Sequence, residues 1–206
     1  MTYIVIEGVI GIGKTALTRL LGEQFGMPTF FEQFEENPFL GHFYTDRESY
    51  AFQTEVFFLL NRYRQQGSIV KPAQSAGNLV GDYLFAKTRL FAGLNLRGAE
   101  LELFDQIYDA LAALVPSPDL VVFLTASVDT LMARIYQRDR TIERKMERAY
   151  IADLSGLYNS FFSSYSGAPV IRVDTDGLDF IRDSSVQQEM IDSILHAAGV
   201  EGLQSS

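Results

Sequence analysis

Apolar residues along this chain come in short runs separated by longer stretches with helical spacing. Tyr3–Ile6, Thr29–Phe31, Asn78–Val80, Leu120–Leu124 and Val170–Val173 have the length and composition of buried strands. Between them, Thr15–Phe25, Tyr50–Gln66, Gly98–Leu114, Val128–Arg138 and Arg144–Tyr165 repeat apolar residues at helical intervals. Leu101, Phe104, Ile107, Tyr108, Leu111, Leu114 and Val115 form one such stripe. Strands alternating with helices predict an α/β fold, a five-stranded parallel sheet with helices on both faces. No repeat, low-complexity tract or linker divides residues 1–206, so a single domain is expected, with Glu201–Ser206 as a frayed tail.

Composition narrows the function. The 206 residues are 47% apolar and 21% charged, as in ordinary globular proteins. The longest apolar runs, such as Leu120–Leu124, are too short to span a bilayer. Met1–Val5 lacks basic residues and Glu7 follows closely, so no signal peptide is expected. The absence of cysteine excludes a disulfide framework, a thiolate zinc site and a cysteine nucleophile. His42 and His196 are too few and too far apart for a histidine metal centre. A net charge of −9 repels nucleic-acid phosphates. A cytoplasmic protein acting on small molecules, with neither nucleic acid nor membrane as partner, fits these facts.

Gly8-Val9-Ile10-Gly11-Ile12-Gly13-Lys14-Thr15 matches G-x-x-x-x-G-K-[ST] throughout, after a strand and at the start of a helical segment. Glycines let the backbone wrap phosphate oxygens, and amides at a helix N-terminus point toward them. Lys14 then neutralises the β and γ phosphates while the Thr15 hydroxyl ligates Mg²⁺. ATP with magnesium is the implied ligand. A GTPase would also need D-x-x-G soon after the loop and an N/T-K-x-D guanine reader. D-x-x-G occurs at Asp153–Gly156, inside a helical stretch, and at Asp174–Gly177, after the last strand; N/T-K-x-D does not occur. A small-molecule kinase needs instead a base near the acceptor hydroxyl and arginines over the transferring group. Arg134, Arg138 and Arg140 supply three guanidiniums just ahead of Glu143, with Arg134 and Arg138 on one helical face.

Taken together, the phosphate loop, the segment Glu32-Gln33-Phe34-Glu35-Glu36-Asn37-Pro38-Phe39-Leu40, Tyr44 and the R-x-x-x-R-x-R-x-x-E lid resemble the deoxynucleoside kinase family. The resemblance runs from Met1 to about Phe162, and more loosely through Asp174–Phe180; the bacterial deoxyguanosine and deoxyadenosine kinases are most similar. It implies that Glu32 takes the proton of the sugar 5′-hydroxyl and that Tyr44 and Glu143 hold the 3′-hydroxyl. It implies too that Arg134, Arg138 and Arg140 grip the donor phosphates, and that Asp174–Phe180, with Asp174, Asp176 and Gly177, lines the donor base. Glu35 and Glu36 are expected to be solvated loop acids. A homodimer is a further implication, for which the Leu101–Leu114 stripe is either interface or core.

Many family members carry an acid-Arg-Ser/Thr triplet where this chain reads Gly81-Asp82-Tyr83-Leu84. In one alignment Asp82 takes that arginine's place and Lys87 that of a base-contacting acid; in the other Asp82 is the acid that helps hold Mg²⁺. Asp82 is therefore expected beside Thr15 at the metal, and the D-Y-x-x-x-K arrangement resembles the deoxyguanosine kinase branch. Glu55 lies seven residues before Arg62, about 700° around a helix and so on nearly the same face, whereas Gln53 lies about 200° away from Glu55. The family places a glutamine seven residues before an arginine, so Glu55 replaces that amide. A carboxylate accepts the adjacent N1–H and N2–H₂ of guanine, with Lys87 or Arg62 donating to O6 or N7. Phosphorylation of deoxyguanosine is the expectation, with a deoxyadenosine/deoxycytidine kinase as alternative. A nucleoside monophosphate kinase would want more arginines near Tyr44 than Arg47 and Arg62, and a nucleotide-gated binding protein would have no use for Glu32, Tyr44 and Glu143.

Overall fold

Strands β1 (Tyr3–Glu7), β2 (Thr29–Phe30), β3 (Leu79–Gly81), β4 (Leu120–Thr125) and β5 (Val170–Asp174) form one sheet in the order β2-β3-β1-β4-β5, every neighbouring pair parallel. The computed structural model describes residues 2–144 and 146–200; the expected tail Glu201–Ser206 lies outside them. Every residue of β1 is buried, because helices cover both faces of the sheet and leave no solvated side for alternation. The α/β architecture expected from the run pattern is the one observed.

Around the sheet lie α1 (Lys14–Phe25), α2 (Leu40–Phe43), α3 (Arg47–Gln65), α4 (Lys71–Ala76), α5 (Lys87–Asn95), α6 (Gly98–Ala112), α7 (Val128–Arg138), α8 (Arg148–Ser164) and α9 (Ser184–Ala197). Helix α3 begins before the expected Tyr50 because the Asp46 side chain accepts from the Ser49 amide at 3.2 Å and caps it. It runs through a π-helical turn at Gln66–Val70 into α4. The helix expected from Arg144 starts only at Arg148. Asp139 turns left-handed (φ 48°) and ends α7, and Thr141–Glu143 forms a single 3₁₀ turn. That break makes the lid.

Helices α2, α4, α5 and α9 lie outside the predicted alternation. Helix α5 has no apolar stripe to find, since Lys87 and Thr88 are among its buried residues. Helix α9 does carry one, Val186, Met190, Ile191, Ile194 and Leu195, behind an Asp183 cap. The stripe is divided: Phe104 and Tyr108 of α6 are buried, while Leu114, just past the end of the helix, stays 54% exposed, as does Leu103, off the stripe, at 47%. One core centres on the sheet, and a second joins α2, α3, α5 and α6 through Phe43, Leu59, Ala92 and Phe104. Among the described residues, no helix is long and apolar enough to cross a membrane.

Candidate active site

Strand β1 sits where the sheet order reverses, with β3 on one side and β4 on the other. The crevice at the carboxyl ends of such strands is where open parallel sheets bind ligands. The phosphate loop leaves β1 there. Gly13 has φ 107°, and a Cβ on it would lie 2.7 Å from the Phe180 ring, so only glycine fits. Lys14 Nζ donates to the Gly8 and Val9 carbonyls at 2.7 and 3.2 Å. Burial, with the nearby Lys87 charge, pulls its ammonium down to about 8.

Glu7, the last residue of β1, is fully buried. Its Oε1 accepts from the Gly8 amide (2.9 Å) and the Tyr158 hydroxyl (3.1 Å), and its Oε2 accepts from the Leu84 amide (2.7 Å). One carboxylate thus ties the loop's first residue to the segment after β3 and to α8. Sequence reasoning missed it; an acid closing an otherwise apolar strand was the available signal.

Two cavities of about 740 and 430 Å³ flank the loop, and Gly11, Lys14, Thr15, Arg19, Arg138 and Arg140 line both. The larger is closed by α7 and Gly177–Arg182. Asp174 and Asp176, expected to line it, do not. Asp176 accepts from the Ser127 amide at 2.9 Å, at the cap of α7, and Asp174 accepts from the Asp176 amide. Arg134, expected to grip the donor phosphates, lines this cavity and is held there by protein groups. Its guanidinium donates to the Thr175 hydroxyl (2.9 Å) and to the carbonyls of Thr175 (2.8 Å), Leu178 (3.2 Å) and Ile12 (3.3 Å). It braces the cavity wall, because three carbonyls converge on it. Arg138 and Arg140 pair with Glu143, the latter at 3.7 Å, and the Arg140 guanidinium lies 4.5 Å over the Phe34 ring.

The smaller cavity gathers Glu32, Tyr44, Glu55, Arg62, Asp82, Lys87 and Glu143 from distant parts of the chain. Asn37 pins the segment after β2 to α3, donating to the Thr54 carbonyl at 3.1 Å. Glu32 follows β2. Its Oε1 accepts from Arg62 Nε (2.8 Å) and Nη2, its Oε2 from Lys87 Nζ (2.8 Å). Burial alone would raise this carboxyl; the guanidinium and the ammonium reverse that and hold it well below the usual carboxylate range. Lys87 or Arg62 was expected to donate to the base. Both line the cavity and both are bound to Glu32, since buried cations left without an anion carry an uncompensated desolvation cost. Arg62 also donates to the Thr88 hydroxyl at 2.9 Å.

Asp82 lines the smaller cavity and reaches the phosphate loop. Its Oδ2 accepts from the Thr15 hydroxyl at 2.8 Å and its Oδ1 from the Glu32 amide at 2.7 Å, and burial pushes its carboxyl upward. Glu55 is only 2% exposed, whereas Gln53, on the opposite side of α3, is exposed. Glu55 Oε1 accepts from Asn95 Nδ2 at 2.7 Å; Oε2 is buried without a hydrogen-bond partner. Burial raises this carboxyl to about 7. Tyr44 and Tyr150 line the same cavity, and burial raises both hydroxyls. Asn95 and Tyr150 belong to no motif, so nothing in the sequence marked them.

The family model described as deoxynucleoside kinase matches residues 4–198. Over 188 residues the chain is 35% identical to the deoxyguanosine kinase of Bacillus subtilis strain 168, a match covering 89% of this chain and 91% of that one. It is 26% identical over 201 residues to the deoxyadenosine/deoxycytidine kinase of the same organism, covering 94% and 91%. A solved structure of deoxyadenosine kinase from M. mycoides with bound dATP superposes with a TM-score of 0.80 at 25% identity, over 95% of this chain and 100% of that chain.

Proposed function

From a chain that belongs to the deoxynucleoside kinase family, we propose an enzyme that transfers the γ-phosphoryl group of ATP to the 5′-hydroxyl of a purine deoxynucleoside, with deoxyguanosine favoured. The observation that carries this reading is the pair of cavities joined along the phosphate loop and the lid arginines, with Glu32 in the smaller one. Donor and acceptor then meet across a shared cationic wall, as in-line transfer requires. ATP occupies the larger cavity, its phosphates against the loop amides and Lys14. Arg138 and Arg140 compensate charge on the transferring group.

Glu32 receives the 5′-hydroxyl. Held by two cations it is a weak base, so it orients the hydroxyl first and takes the proton late, once bonding to phosphorus has acidified it. Tyr44 and Glu143 hold the 3′-hydroxyl. The Thr15 hydroxyl and the Asp82 carboxylate, 2.8 Å apart, are hard oxygen donors suited to Mg²⁺. The ion would neutralise charge on the β and γ phosphates.

For the base, an ionised Glu55 accepts the N1–H and N2–H₂ donors of guanine. Adenine turns an acceptor toward it, a mismatch worth about 1–3 kcal/mol. The higher identity to the deoxyguanosine kinase relative supports the same choice. One observation favours deoxyadenosine as a second reading: a carboxyl raised to about 7 is partly neutral near neutrality and can donate, as an amide would. In this reading the protein is one cytoplasmic kinase domain over residues 1–206, and the exposed Leu103 of α6 and Leu114 just after it take a second copy.

The test is ATP turnover against deoxyguanosine, deoxyadenosine, deoxycytidine and guanosine at pH 8. Deoxyguanosine should give the highest kcat/KM. A lead for deoxyadenosine removes the guanine assignment, and no turnover with any nucleoside removes the kinase assignment.

A further inference from the structure

Glu55 is held from outside its own helix. Asn95, the last residue of α5, donates through Nδ2 to Glu55 Oε1 at 2.7 Å, across 40 residues of sequence. An amide NH₂ can only donate, so Oε1 is the accepting oxygen whether Glu55 is ionised or neutral. Any proton on this carboxyl therefore sits on Oε2, the oxygen that has no partner in the protein. Glu55 also lines the smaller cavity. The Tyr150 hydroxyl, in the first turn of α8, lies beside the same amide.

The other charged or titratable groups near Glu55 are Arg62 on its own helix, Glu32 after β2, Lys87 at the start of α5, Tyr44 and Tyr150. Arg62 and Lys87 are engaged with Glu32. Among the described residues, Asn95 alone hydrogen-bonds the Glu55 carboxylate. A donor aimed at a carboxylate stabilises its ionised form, the form with acceptors to offer guanine.

We propose that Asn95 is a specificity-determining positioning residue, which fixes the rotation of the Glu55 carboxylate, aims Oε2 at the purine edge and favours the acceptor state that selects guanine over adenine. This rests on Glu55 being the base contact. Removing the Asn95 donor frees the carboxylate to rotate and makes it easier to protonate. A protonated Oε2 donates to adenine N1 and opposes guanine N1–H.

The experiment measures kcat/KM for deoxyguanosine and deoxyadenosine between pH 6 and 9 in the wild type, Asn95→Ala, Asn95→Asp, Glu55→Gln and the Glu55→Gln/Asn95→Ala double variant, with thermal melts of each. Asn95→Ala should lower the deoxyguanosine-to-deoxyadenosine ratio about tenfold, chiefly through KM. Its pH midpoint for deoxyguanosine should move upward and its KM for ATP should stay put. Asn95→Asp, which keeps the size but puts a carboxylate against Oε1, should act in the same direction, so the test survives if the alanine variant fails to fold. In the Glu55→Gln background, Asn95→Ala should leave the ratio unchanged. Folded Asn95 variants with wild-type ratio and pH midpoint would overturn the proposal, as would an equal effect of Asn95→Ala with and without Glu55. A ratio indifferent to Glu55→Gln itself would instead overturn the base-contact reading, and this proposal with it.

Discussion

The backbone amide of Glu32 donates to Asp82 Oδ1 at 2.7 Å, and the other oxygen of the same carboxylate accepts the Thr15 hydroxyl at 2.8 Å. One side chain after β3 therefore sets the distance between the acceptor carboxylate and the phosphate loop. Replacing Asp82 by Ala removes both contacts and leaves the partly buried Glu32 amide without an acceptor, a cost of about 1 kcal/mol. The turnover of Asp82→Ala should fall by about a hundredfold, because reacting groups then lose their alignment. Asp82→Asn keeps an acceptor and should lie between. Steady-state kinetics across a magnesium titration checks both, and an unaffected kcat in the alanine variant would show that Asp82 aligns nothing.

Glu32→Gln should lower kcat by about 10²–10⁴-fold, since an amide accepts no proton. The contacts to Arg62 and Lys87 add a second consequence. Two buried cations lose their anion, so stability should drop by about 3 kcal/mol. The sign with pH follows from a carboxyl held low in the fold. The stability it contributes is fully present above its ordinary value near 4.5 and is lost as the solution is acidified below that. Denaturant melts of both proteins at pH 7 and pH 4 test this; equal stability at pH 7 would mean that the ion pairs contribute nothing net.

Glu55 carries the opposite sign. Its carboxyl is raised to about 7 by burial, so the fold prefers it protonated. Stability from this group is fully present below about 4.5 and is lost as pH rises through 7. Glu55→Gln should flatten that loss between pH 5 and 8, and should shift the purine preference toward deoxyadenosine. Melting temperatures across this range decide the first point and a substrate panel the second. A variant as pH-sensitive as the wild type would remove Glu55 as the source.

Tyr44 and Glu143 line one cavity, and Glu143 is also the residue that holds Arg138 and Arg140. If both residues bond the 3′-hydroxyl, the sugar packs beneath Tyr44 and a 2′-hydroxyl has neither room nor partner. Deoxyguanosine should then exceed guanosine in kcat/KM by at least about tenfold. Tyr44→Phe should narrow the gap by raising the KM for deoxyguanosine. Equal efficiency with the two nucleosides would remove this placement of the sugar.

The spaced glycines Gly8, Gly11 and Gly13, followed by Lys14 and Thr15, were legible because a phosphate loop is local. Its conformation depends on backbone freedom over a few residues and on the helix that follows. The parallel sheet was legible for a related reason: β1 and β4, buried on both faces, read as nearly unbroken apolar runs. The helical spacing of Glu55, Gln53 and Arg62 already told which residues share a face of α3. Partners were decided elsewhere. Asn95 meets Glu55 across 40 residues, Arg134 meets Thr175 across 41, and Tyr158 meets Glu7 across 151. Helix α5 stayed hidden because the polar Lys87 and Thr88 that it buries break the stripe by which a helix is recognised. Arg62 and Lys87 show the limit most plainly. Their charges are written in the sequence, but the anion that claims them is set by which carboxylate the fold buries between them, and only tertiary packing brings Glu32 there.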